Sequence, residues 1–339
     1  MKYRRLGRSD IEVSVVCHGC WSIVSGDANW GPQNVEDSIA GIRASLDAGV
    51  NFFDTAEVYG GGESEEILAR ALDERRKEVI IASKVGTKTG IPAGERAAER
   101  IRASCEASLR RLGSDYIDLY QIHWPSPGLN MAEATGALEE LKAAGKIRAA
   151  GVSNFGASYL ADLPPDGPLE SNQLCYSLLW RAIEHAVQPR CVEKHLSILC
   201  YSPLCQGLLT GKFAGANDVP PERARMRLFS SGRPHTRHGE DGCEAKTFEA
   251  IAAIGRICNS AGVTMGEASL GWLLRRDGVV SAIAGARNAR QARQNAGAGE
   301  VELSDDVIEA LTAATEPVKA RVGVNADFWQ SESRMEKPS

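Results

Sequence analysis

Four polar side chains follow apolar, strand-like segments in an order that could support redox chemistry on a carbonyl group. Asp54 ends one such segment, and Tyr59 lies five residues further along the chain. Lys84 ends the next segment, and His123 ends the one after it. Because parallel α/β sheets and barrels bind ligands at the carboxyl ends of their strands, we expect the four side chains to share one site.

These residue types can divide the work of carbonyl reduction between them. Tyr59 is the candidate acid, because the alkoxide that forms when a hydride reaches carbon needs a proton. The ammonium of Lys84 would lower the phenol pKa from about 10 towards neutrality, and Asp54 would keep that lysine charged. A neutral His123 could donate a ring hydrogen to the carbonyl oxygen. Each residue alone also fits an ion pair or simple packing, so it is their joint order that favours catalysis.

The elements that must position these residues alternate between strands and helices. Segments 35–48 and 99–112 place apolar residues three and four apart, as amphipathic helices do. Parallel strands need crossovers of about a dozen residues or more, so this alternation predicts an α/β protein with one (β/α)8 TIM barrel domain over residues 1–339. A doubly wound open sheet is the alternative. The eight predicted strands are 15–19, 50–54, 79–84, 116–123, 149–153, 169–173, 198–201 and 279–284.

Three segments lie outside this repeat. Residues 3–14 place turn-forming residues between two short extended pieces, which predicts an N-terminal β-hairpin. Residues 214–242 lack periodicity and follow the seventh strand, where a loop of this length is a candidate lid. Residues 316–339 contain prolines and mixed charges and are predicted to form a C-terminal tail.

Composition and charge exclude several classes of partner. The 339 residues include 39 Lys and Arg against 44 Asp and Glu, a formal net charge of −5, with no basic run suited to nucleic acid. No stretch approaches the ~20 apolar residues of a membrane span, and the charged start does not resemble a signal peptide. Nine scattered cysteines, an odd number, indicate reduced thiols. We therefore expect a cytoplasmic protein that binds a small molecule.

Two residue groups have spacings that could bind a metal. Cys17 and Cys20 form a Cys-x-x-Cys pair, but no second pair follows, so burial in a strand is the better explanation. The second group lies in a loop without strand or helix support, and it comprises His235, His238, Asp241 and Cys243. We expect no metal at either position.

The order of Asp54, Tyr59, Lys84 and His123 resembles the motifs of the aldo-keto reductase superfamily. That family has an acid and a tyrosine after the second barrel strand, a lysine after the third and a histidine after the fourth. The resemblance covers residues 3 to about 298. It implies a barrel whose hairpin closes the bottom, and it implies NADPH-dependent reduction of an aldehyde or ketone to the alcohol.

The end of the eighth strand is the expected site for the phosphates of the dinucleotide. No Gly-x-Gly-x-x-Gly motif is present, but residues 283–295 run from a strand end through small residues into a helix, whose N-terminus attracts phosphate. This segment resembles the family's 2′-phosphate and adenine motif, although Gln294 stands where an acidic residue is usual. Arg287 offers a charged planar fork for a phosphate monoester, which favours NADPH over NADH. The matching residues are Gly285, Ala286, Arg287, Gln291 and Asn295.

The resemblance assigns further cofactor contacts to the other strand ends. Ser153, Asn154 and Gln173 would bind the nicotinamide carboxamide, which has a donor and an acceptor face. Tyr201 would stack on the nicotinamide, while the loop after it would meet the pyrophosphate. Arg225 and Arg227 are alternatives to Arg223 in that loop. The remaining contacts are Gly19, Trp21 and Asp54 near the first strand ends, and Ser202, Pro203, Leu204, Gln206, Gly207, Lys212 and Arg223 after the seventh.

Several aromatic residues lie in segments that could border the substrate. Trp21, Trp30, Trp124 and Trp180 are the candidates, with core packing as the alternative for Trp180 in particular. The resemblance implies that the tail helps to wall the substrate site. Phe328 and Trp329 are then candidate substrate contacts, although burial in the core or exposure to solvent explains them equally well.

The sequence leaves the substrate and two alternative functions open. Sugar aldehydes, deoxysugar ketones, methylglyoxal-like aldehydes and pyridoxal are all candidate substrates, and a monomer is slightly favoured. Potassium-channel β subunits, which resemble this family, are chiefly binding partners that sense NADP(H). A barrel hydrolase or isomerase would instead need paired carboxylates or a metal. Glu57 lies near Asp54, but we expect it to be a loop residue at the mouth of the site.

Overall fold

The computed structural model describes residues 1–26, 30–86, 90–91, 96–164 and 167–337. Its first two strands, β1 (Tyr3–Arg5) and β2 (Glu12–Ser14), pair antiparallel as the predicted hairpin. Leu6, Ile11 and Val13 of this hairpin are fully or almost fully buried. They form one apolar cluster with side chains of the barrel strands, so the hairpin packs against the barrel interior.

The next eight strands form a closed parallel barrel, which confirms the predicted (β/α)8 fold. They follow one another in chain order around the barrel, and the last pairs with the first, so the sheet is not an open doubly wound one. Each overlaps its predicted segment. The strands are β3 (Val16–Gly19), β4 (Phe52–Asp54), β5 (Ile80–Val85), β6 (Ile117–Ile122), β7 (Ile147–Ser153), β8 (Leu169–Cys175), β9 (Ser197–Tyr201) and β10 (Val279–Gly285).

Helices surround the barrel, and local capping explains where several of them begin. The side chain of Asn34 accepts from the backbone N–H of Glu36 at 2.8 Å and so starts the first helix. None of the helices in the described ranges combines the length and apolar character needed to cross a bilayer. The α-helices are α1 (Val35–Asp47), α2 (Glu63–Leu72), α3 (Ala97–Leu112), α4 (Met131–Ala143), α5 (Ala157–Ala161), α6 (Val187–Glu193), α7 (Glu244–Ala261), α8 (Met265–Leu273), α9 (Ala289–Ala298) and α10 (Asp305–Val322).

The long loop after β9 is irregular, as predicted, but it is anchored to the tail. Residues 214–242 contain one short 3-10 turn, Ala216–Asp218, and otherwise turns and bends. Arg227 in this loop is buried and donates to the backbone carbonyls of Asn325 at 2.8 Å and Asp327 at 2.9 Å. The candidate lid is therefore attached to the C-terminal segment near its midpoint.

The predicted start of the tail at residue 316 is wrong, because α10 continues to Val322. Pro317 lies inside this helix, and the buried side chains of Val318 and Val322 hold the turns that follow it against the core. The segment that follows the helix is also docked. Phe328 is fully buried, with its ring 4.8 Å from that of Trp180, so both are core residues. Residues 338–339 of the predicted tail lie outside the described part of the chain.

Gly151 provides a test of the barrel's interior packing. It stands between Gln121 of β6 and Ser171 of β8 in the strand register, and a Cβ added there would lie 2.4 Å from the Ser171 Oγ. We expect Gly151→Ala to lower the free energy of unfolding by about 1–3 kcal/mol through overpacking, as measured by urea denaturation. Adding Ser171→Ala should recover part of that loss, because it removes the closest contact.

Gly136 supplies the matched control for this prediction. It lies inside α4, and a Cβ added there would meet nothing within 4 Å. Gly136→Ala should leave the stability unchanged or raise it by about 0.5–1 kcal/mol, because alanine is the better helix former. Equal behaviour of the two alanine variants would contradict the packing explanation.

Candidate active site

The mouth of the barrel brings together Asp54, Tyr59, Lys84 and His123, the residues predicted from the sequence. Asp54 ends β4, Lys84 is the penultimate residue of β5, and His123 follows β6 directly. The Nζ atom of Lys84 donates to Asp54 Oδ1 at 2.7 Å and to the hydroxyl of Tyr59 at 3.3 Å. It also donates to the backbone carbonyl of Thr55 at 2.8 Å. The three donations fill the hydrogen-bonding capacity of the ammonium.

A glycine run and two aromatic neighbours set the position of Tyr59. The three glycines that follow it all have left-handed φ angles, and Gly62 lies so close to Arg111 that a Cβ would be 2.5 Å from its Cδ. This turn ends the loop at once and lets α2 begin at the next residue. The ring centroid of Tyr59 lies 6.1 Å from that of Trp21 in a stacked arrangement and 5.8 Å from that of His123 in an edge-to-face arrangement. Its hydroxyl therefore has little freedom to move away from Lys84.

The charge on Lys84 depends on Asp54. Burial opposes that charge, but the carboxylate of Asp54 and the hydroxyl of Tyr59 outweigh it, so the pKa of Lys84 lies above its ordinary value. The other carboxylate oxygen, Asp54 Oδ2, accepts from Gln173 Nε2 at 2.7 Å. Both oxygens of Asp54 are thus engaged, one by the lysine and one by a residue of β8.

The structure corrects the expected effect of Lys84 on Tyr59. Burial raises the pKa of the Tyr59 phenol above its ordinary value, and the Lys84 ammonium offsets this increase only in part. The prediction of a net lowered pKa is therefore wrong, because it left out the cost of ionising a phenol away from water. Tyr59 keeps its proton at neutral pH, which is the state that a proton donor requires.

Residues at the ends of β7, β8 and β9 form a hydrogen-bonded group beside His123. Asn154 has a left-handed φ of 63° and donates through Nδ2 to the His123 carbonyl at 3.1 Å. Its Oδ1 accepts from the Tyr201 hydroxyl at 2.9 Å. Ser153 Oγ donates to the carbonyl of Gln173 at 3.1 Å. These bonds link the predicted carboxamide-binding residues to the backbone of His123.

The loop after β9 presents a row of left-handed residues and two cations. Ser202, Gln206 and Gly207 have left-handed φ angles of 51°, 56° and 91°, so the backbone turns sharply at these positions. A Cβ on Gly207 would lie 2.8 Å from Lys212 Nζ, so the lysine crosses directly over this turn. Burial and the neighbouring Arg223 both lower the pKa of Lys212. Backbone N–H groups in such a turn, together with a cation, form an anion-binding concavity.

The end of β10 carries the residues predicted to hold a phosphate. Asn288 caps α9 by accepting from the backbone N–H of Gln291 at 3.0 Å. Gln291 Oε1 in turn accepts from the backbone N–H of Arg287 at 2.9 Å, and Asn295 Nδ2 donates to the Gly285 carbonyl at 3.1 Å. Arg287 therefore directly precedes the N-terminus of a helix, where an anion is favoured.

A cleft of about 490 Å³ joins these parts at the barrel mouth. Lys84 lies beneath it, and Ala286 is buried against Ala44 and Ala292, so neither lines the cleft. The predicted residues that line it are Gly19, Trp21, Asp54, Tyr59, His123, Ser153, Asn154, Gln173, Tyr201, Ser202, Pro203, Leu204, Gln206, Gly207, Lys212, Arg223, Gly285, Arg287, Gln291, Gln294 and Asn295. The structure adds Ser22, Val58, Thr210, Arg237, Ile283, Arg290 and Arg334, which are not among the residues predicted from the sequence.

The aromatic and basic candidates separate into those that line the cleft and those that do not. Trp30, Trp124, Trp329, Arg225 and His235 line it. The other candidates, Trp180, Phe328 and Arg227, belong to the core or to the anchor of the loop after β9.

Glu57 and the candidate metal ligands have other roles. Glu57 was expected at the mouth of the site, but it does not line the cleft. Its Oε1 instead accepts from Arg100 of α3 at 3.0 Å and from the backbone N–H of Gly86 at 2.8 Å. Cys17 and Cys20 are free and fully buried thiols. Across the described part of the chain, no three His, Cys, Asp or Glu side chains are grouped in a way that could hold a metal ion.

Comparisons with known proteins decide the family. The model of the "Aldo/keto reductase family" matches residues 15–316. The chain belongs to the aldo-keto reductase family. Its members are NAD(P)-dependent oxidoreductases that act on carbonyl groups, so the predicted family, enzyme class and nicotinamide cofactor are confirmed. The hydrolase and isomerase alternatives are accordingly dropped.

Three relatives illustrate the range of this family. The chain is 34% identical over 299 residues to the aldo-keto reductase YhdN of Bacillus subtilis, covering 86% of each protein. It is 34% identical over 324 residues to an NADH-specific methylglyoxal reductase of Escherichia coli, covering 90% of this chain and 95% of the relative. An aldo/keto reductase structure from Klebsiella pneumoniae, in complex with NADP and acetate, has a TM-score of 0.70 and 29% identity, with coverage of 92% and 94%.

The Lys84–Asp54 pair predicts an unusual pH dependence for Asp54→Asn. We expect this variant to lose about 3–5 kcal/mol of unfolding free energy at pH 7, because it leaves a buried ammonium without its carboxylate. Without that partner, burial should bring the pKa of Lys84 in the folded variant below its value in the unfolded chain. The variant should then regain stability as the pH rises from the folded pKa to the unfolded pKa, because Lys84 loses its proton first in the folded state. In the wild type the folded pKa is raised, so the pair's contribution is complete at neutral pH and is lost only at strongly alkaline pH.

Urea denaturation at pH 7, 8.5 and 10 measures this effect. Asp47→Asn is the matched control, because Asp47 pairs with Arg75 at 2.7 Å on the surface. Its loss of stability should be small at each pH, because solvent screens an exposed ion pair. A deficit of Asp54→Asn that is the same at pH 7 and pH 10 would contradict the assigned role of the carboxylate.

Proposed function

We propose that the chain catalyses NADPH-dependent reduction of an aldehyde or ketone, with Tyr59 as the proton donor. The observation that carries this proposal is the position of the Tyr59 hydroxyl. It lies 3.3 Å from a fully buried Lys84 ammonium, its ring meets that of His123, and it faces the cleft. A protonated phenol, a fixed cation and a neighbouring imidazole are the groups that protonation of an alkoxide needs.

The cations around the cleft fit the cofactor. Lys212, Arg223 and Arg287 line it, and Arg223 lies close enough to both of the others for mutual repulsion. A dinucleotide with three phosphate groups would relieve that repulsion, and the amides of Asn154 and Gln173 suit a carboxamide. When bound, NADPH supplies the hydride. The related structure from Klebsiella pneumoniae contains NADP, which supports this assignment.

The chain's own residues handle the proton and the orientation of the carbonyl. As charge develops on the carbonyl oxygen, Tyr59 donates its phenolic proton to it. Lys84 stabilises the phenolate that is left, at a distance of 3.3 Å. Asp54 keeps Lys84 charged throughout, and His123 directs the carbonyl oxygen towards Tyr59. The reverse direction, alcohol oxidation, requires the phenolate and is therefore favoured at high pH, because the pKa of Tyr59 is raised.

A small aldehyde is the substrate class that we propose. The cleft is lined by Trp21, Trp30, Trp124 and Trp329, and the ring of Trp21 stacks on that of Tyr59. One relative that is 34% identical to this chain is named for the reduction of methylglyoxal. Methylglyoxal and other 2-oxoaldehydes are therefore the first substrates to test, ahead of sugar aldehydes.

Tyr59→Phe tests the assigned acid. Because only the hydroxyl is removed, NADPH affinity measured by fluorescence titration should change by less than about threefold. Turnover of methylglyoxal should fall by about 10²–10⁴, the range that general acid catalysis contributes. Tyr3→Phe is the control, since Tyr3 is exposed and its hydroxyl donates to the Gly49 carbonyl at 2.8 Å, away from the cleft. Normal turnover by Tyr59→Phe would refute the proposal.

Arg287→Ala tests the preference for NADPH. We expect the Kd for NADPH to rise by about 10- to 100-fold, because a charge-assisted contact with a phosphate is lost, while the Kd for NADH changes little. Arg293 is the matched control, because it lies exposed in α9, the helix that follows Arg287, and does not line the cleft. Equal increases in the Kd for NADPH and for NADH would contradict the assignment of the 2′-phosphate to Arg287.

A binding protein that only senses NADP(H) is the remaining alternative. It would bind NADPH tightly but give no turnover with any member of an aldehyde panel in the absence of a partner. Steady-state NADPH oxidation by the wild-type protein alone distinguishes the two functions.

A further inference from the structure

The connection between β3 and α1 contacts the cofactor cations of two other loops. Trp30 places its ring under the guanidinium of Arg223, with Cζ 5.3 Å from the ring centroid. The backbone carbonyl of Pro32 accepts from Nη2 of Arg287. Gln33 contacts Arg287 through both ends of its amide. Residues 30–33, which we call the brace, therefore support an arginine after β9 and an arginine after β10 at the same time.

Gln33 makes the most specific contact of the brace. Its Oε1 accepts from Nε of Arg287 at 2.6 Å, and its Nε2 donates to the backbone carbonyl of the same residue at 2.8 Å. Nε2 also donates to Ser38 Oγ at 2.9 Å, and Ser38 is buried in α1. Gln33 thus ties the guanidinium of Arg287 to a rigid helix rather than to another loop.

These bonds determine which edge of the Arg287 guanidinium is available to a ligand. Gln33 and Pro32 together occupy the edge formed by Nε and Nη2. Within the described residues, nothing bonds to Nη1. A guanidinium has five N–H donors in a fixed fork, so the edge formed by Nη1 and the second hydrogen of Nη2 is left for an anion.

The brace also holds two like charges near each other. Burial and the charge of Arg287 both lower the pKa of Arg223, and the carboxylate of Glu222 offsets this only in part. Such repulsion would drive two mobile side chains apart, yet here a tryptophan face supports one and an amide holds the other. An arrangement that keeps two guanidinium groups close without neutralising either of them suits a phosphate between or beside them.

We propose that Gln33 is a positioning residue for cofactor choice, which holds Arg287 for the 2′-phosphate and so sets the preference for NADPH over NADH. The proposal rests on the proposed function, because it assumes that the cleft binds a nicotinamide dinucleotide. An amide is suited to this task, because it offers a donor and an acceptor and leaves the charge of Arg287 uncompensated.

The test compares Gln33→Ala and Gln33→Glu in the full chain, with dissociation constants for NADPH and NADH measured by fluorescence titration. Adenosine 2′,5′-bisphosphate and adenosine 5′-monophosphate, measured by calorimetry, serve as probes that need no turnover. Gln33→Ala should raise the dissociation constants for NADPH and the bisphosphate by about tenfold and that for NADH by less than about twofold. Gln33→Glu should weaken NADPH further, because a carboxylate would neutralise Arg287 and repel the phosphate.

A double variant separates positioning from a general structural effect. If Gln33 acts through Arg287, then Gln33→Ala should cost nothing further for NADPH in an Arg287→Ala background. Asn34→Ala is the matched control from the neighbouring position. It removes the cap of α1 and should lower the melting temperature without changing the ratio of the two cofactor affinities.

The outcomes distinguish this inference from the proposed function. If the wild type binds NADPH and NADH but Gln33→Ala weakens both equally, the role of Gln33 is only structural and the inference fails. It also fails if Gln33→Ala weakens NADPH as much in the Arg287→Ala background as in the wild type. If the wild type binds neither cofactor, the proposed function fails first.

Discussion

The buried ion pair between Lys84 and Asp54 is the interaction on which the active site depends. A fully buried ammonium costs several kcal/mol to remove from water unless an opposite charge and good hydrogen bonds replace its hydration. Here the replacement is complete, with acceptors at 2.7, 2.8 and 3.3 Å. Because β8 lies across the barrel from β4, the bond from Gln173 to Asp54 is made through the interior. The bond that engages the second oxygen of Asp54 therefore depends on closure of the barrel, whereas the ion pair itself joins the neighbouring strands β4 and β5.

The charges at the rim of the cleft are arranged differently from the matched charges of Lys84 and Asp54 at its floor. At the floor, each charge is matched by a partner, and that match keeps the phenol of Tyr59 beside a permanent cation. Around the rim, Lys212, Arg223 and Arg287 line the same cleft. The charge of Arg223 lowers the pKa of Lys212, and the charge of Arg287 lowers the pKa of Arg223. Neutral groups contact two of these cations, with the face of Trp30 under Arg223 and the amide of Gln33 on Arg287. The floor is thus complete within the protein, whereas under the proposed function the rim would take its counter-charge from the bound dinucleotide.

Much of the fold and site was predictable because the signals are local in the chain. The barrel strands are short, largely apolar segments, several of which end at or beside a polar residue, and strand order in this closed parallel barrel follows chain order. Residues at successive strand ends, such as Asp54 and Lys84, must therefore meet. The tail boundary was missed because the packing of Val322 overrides the helix-breaking tendency of Pro317. Glu57 was misplaced because its partner, Arg100, comes from a helix that a local pattern cannot place.

The sequence by itself determined the eight-fold alternation of strands and helices, the identity of the four residues at the barrel mouth and the basic corner after β10, because each depends on residue type and spacing along the chain. Only the tertiary structure decided the protonation state of Tyr59, since its pKa depends on how completely the fold buries it. It also decided that Gln33 meets Arg287, since these residues are 254 positions apart. Burial and contacts between distant segments arise when the barrel closes, and no property of a single segment encodes them.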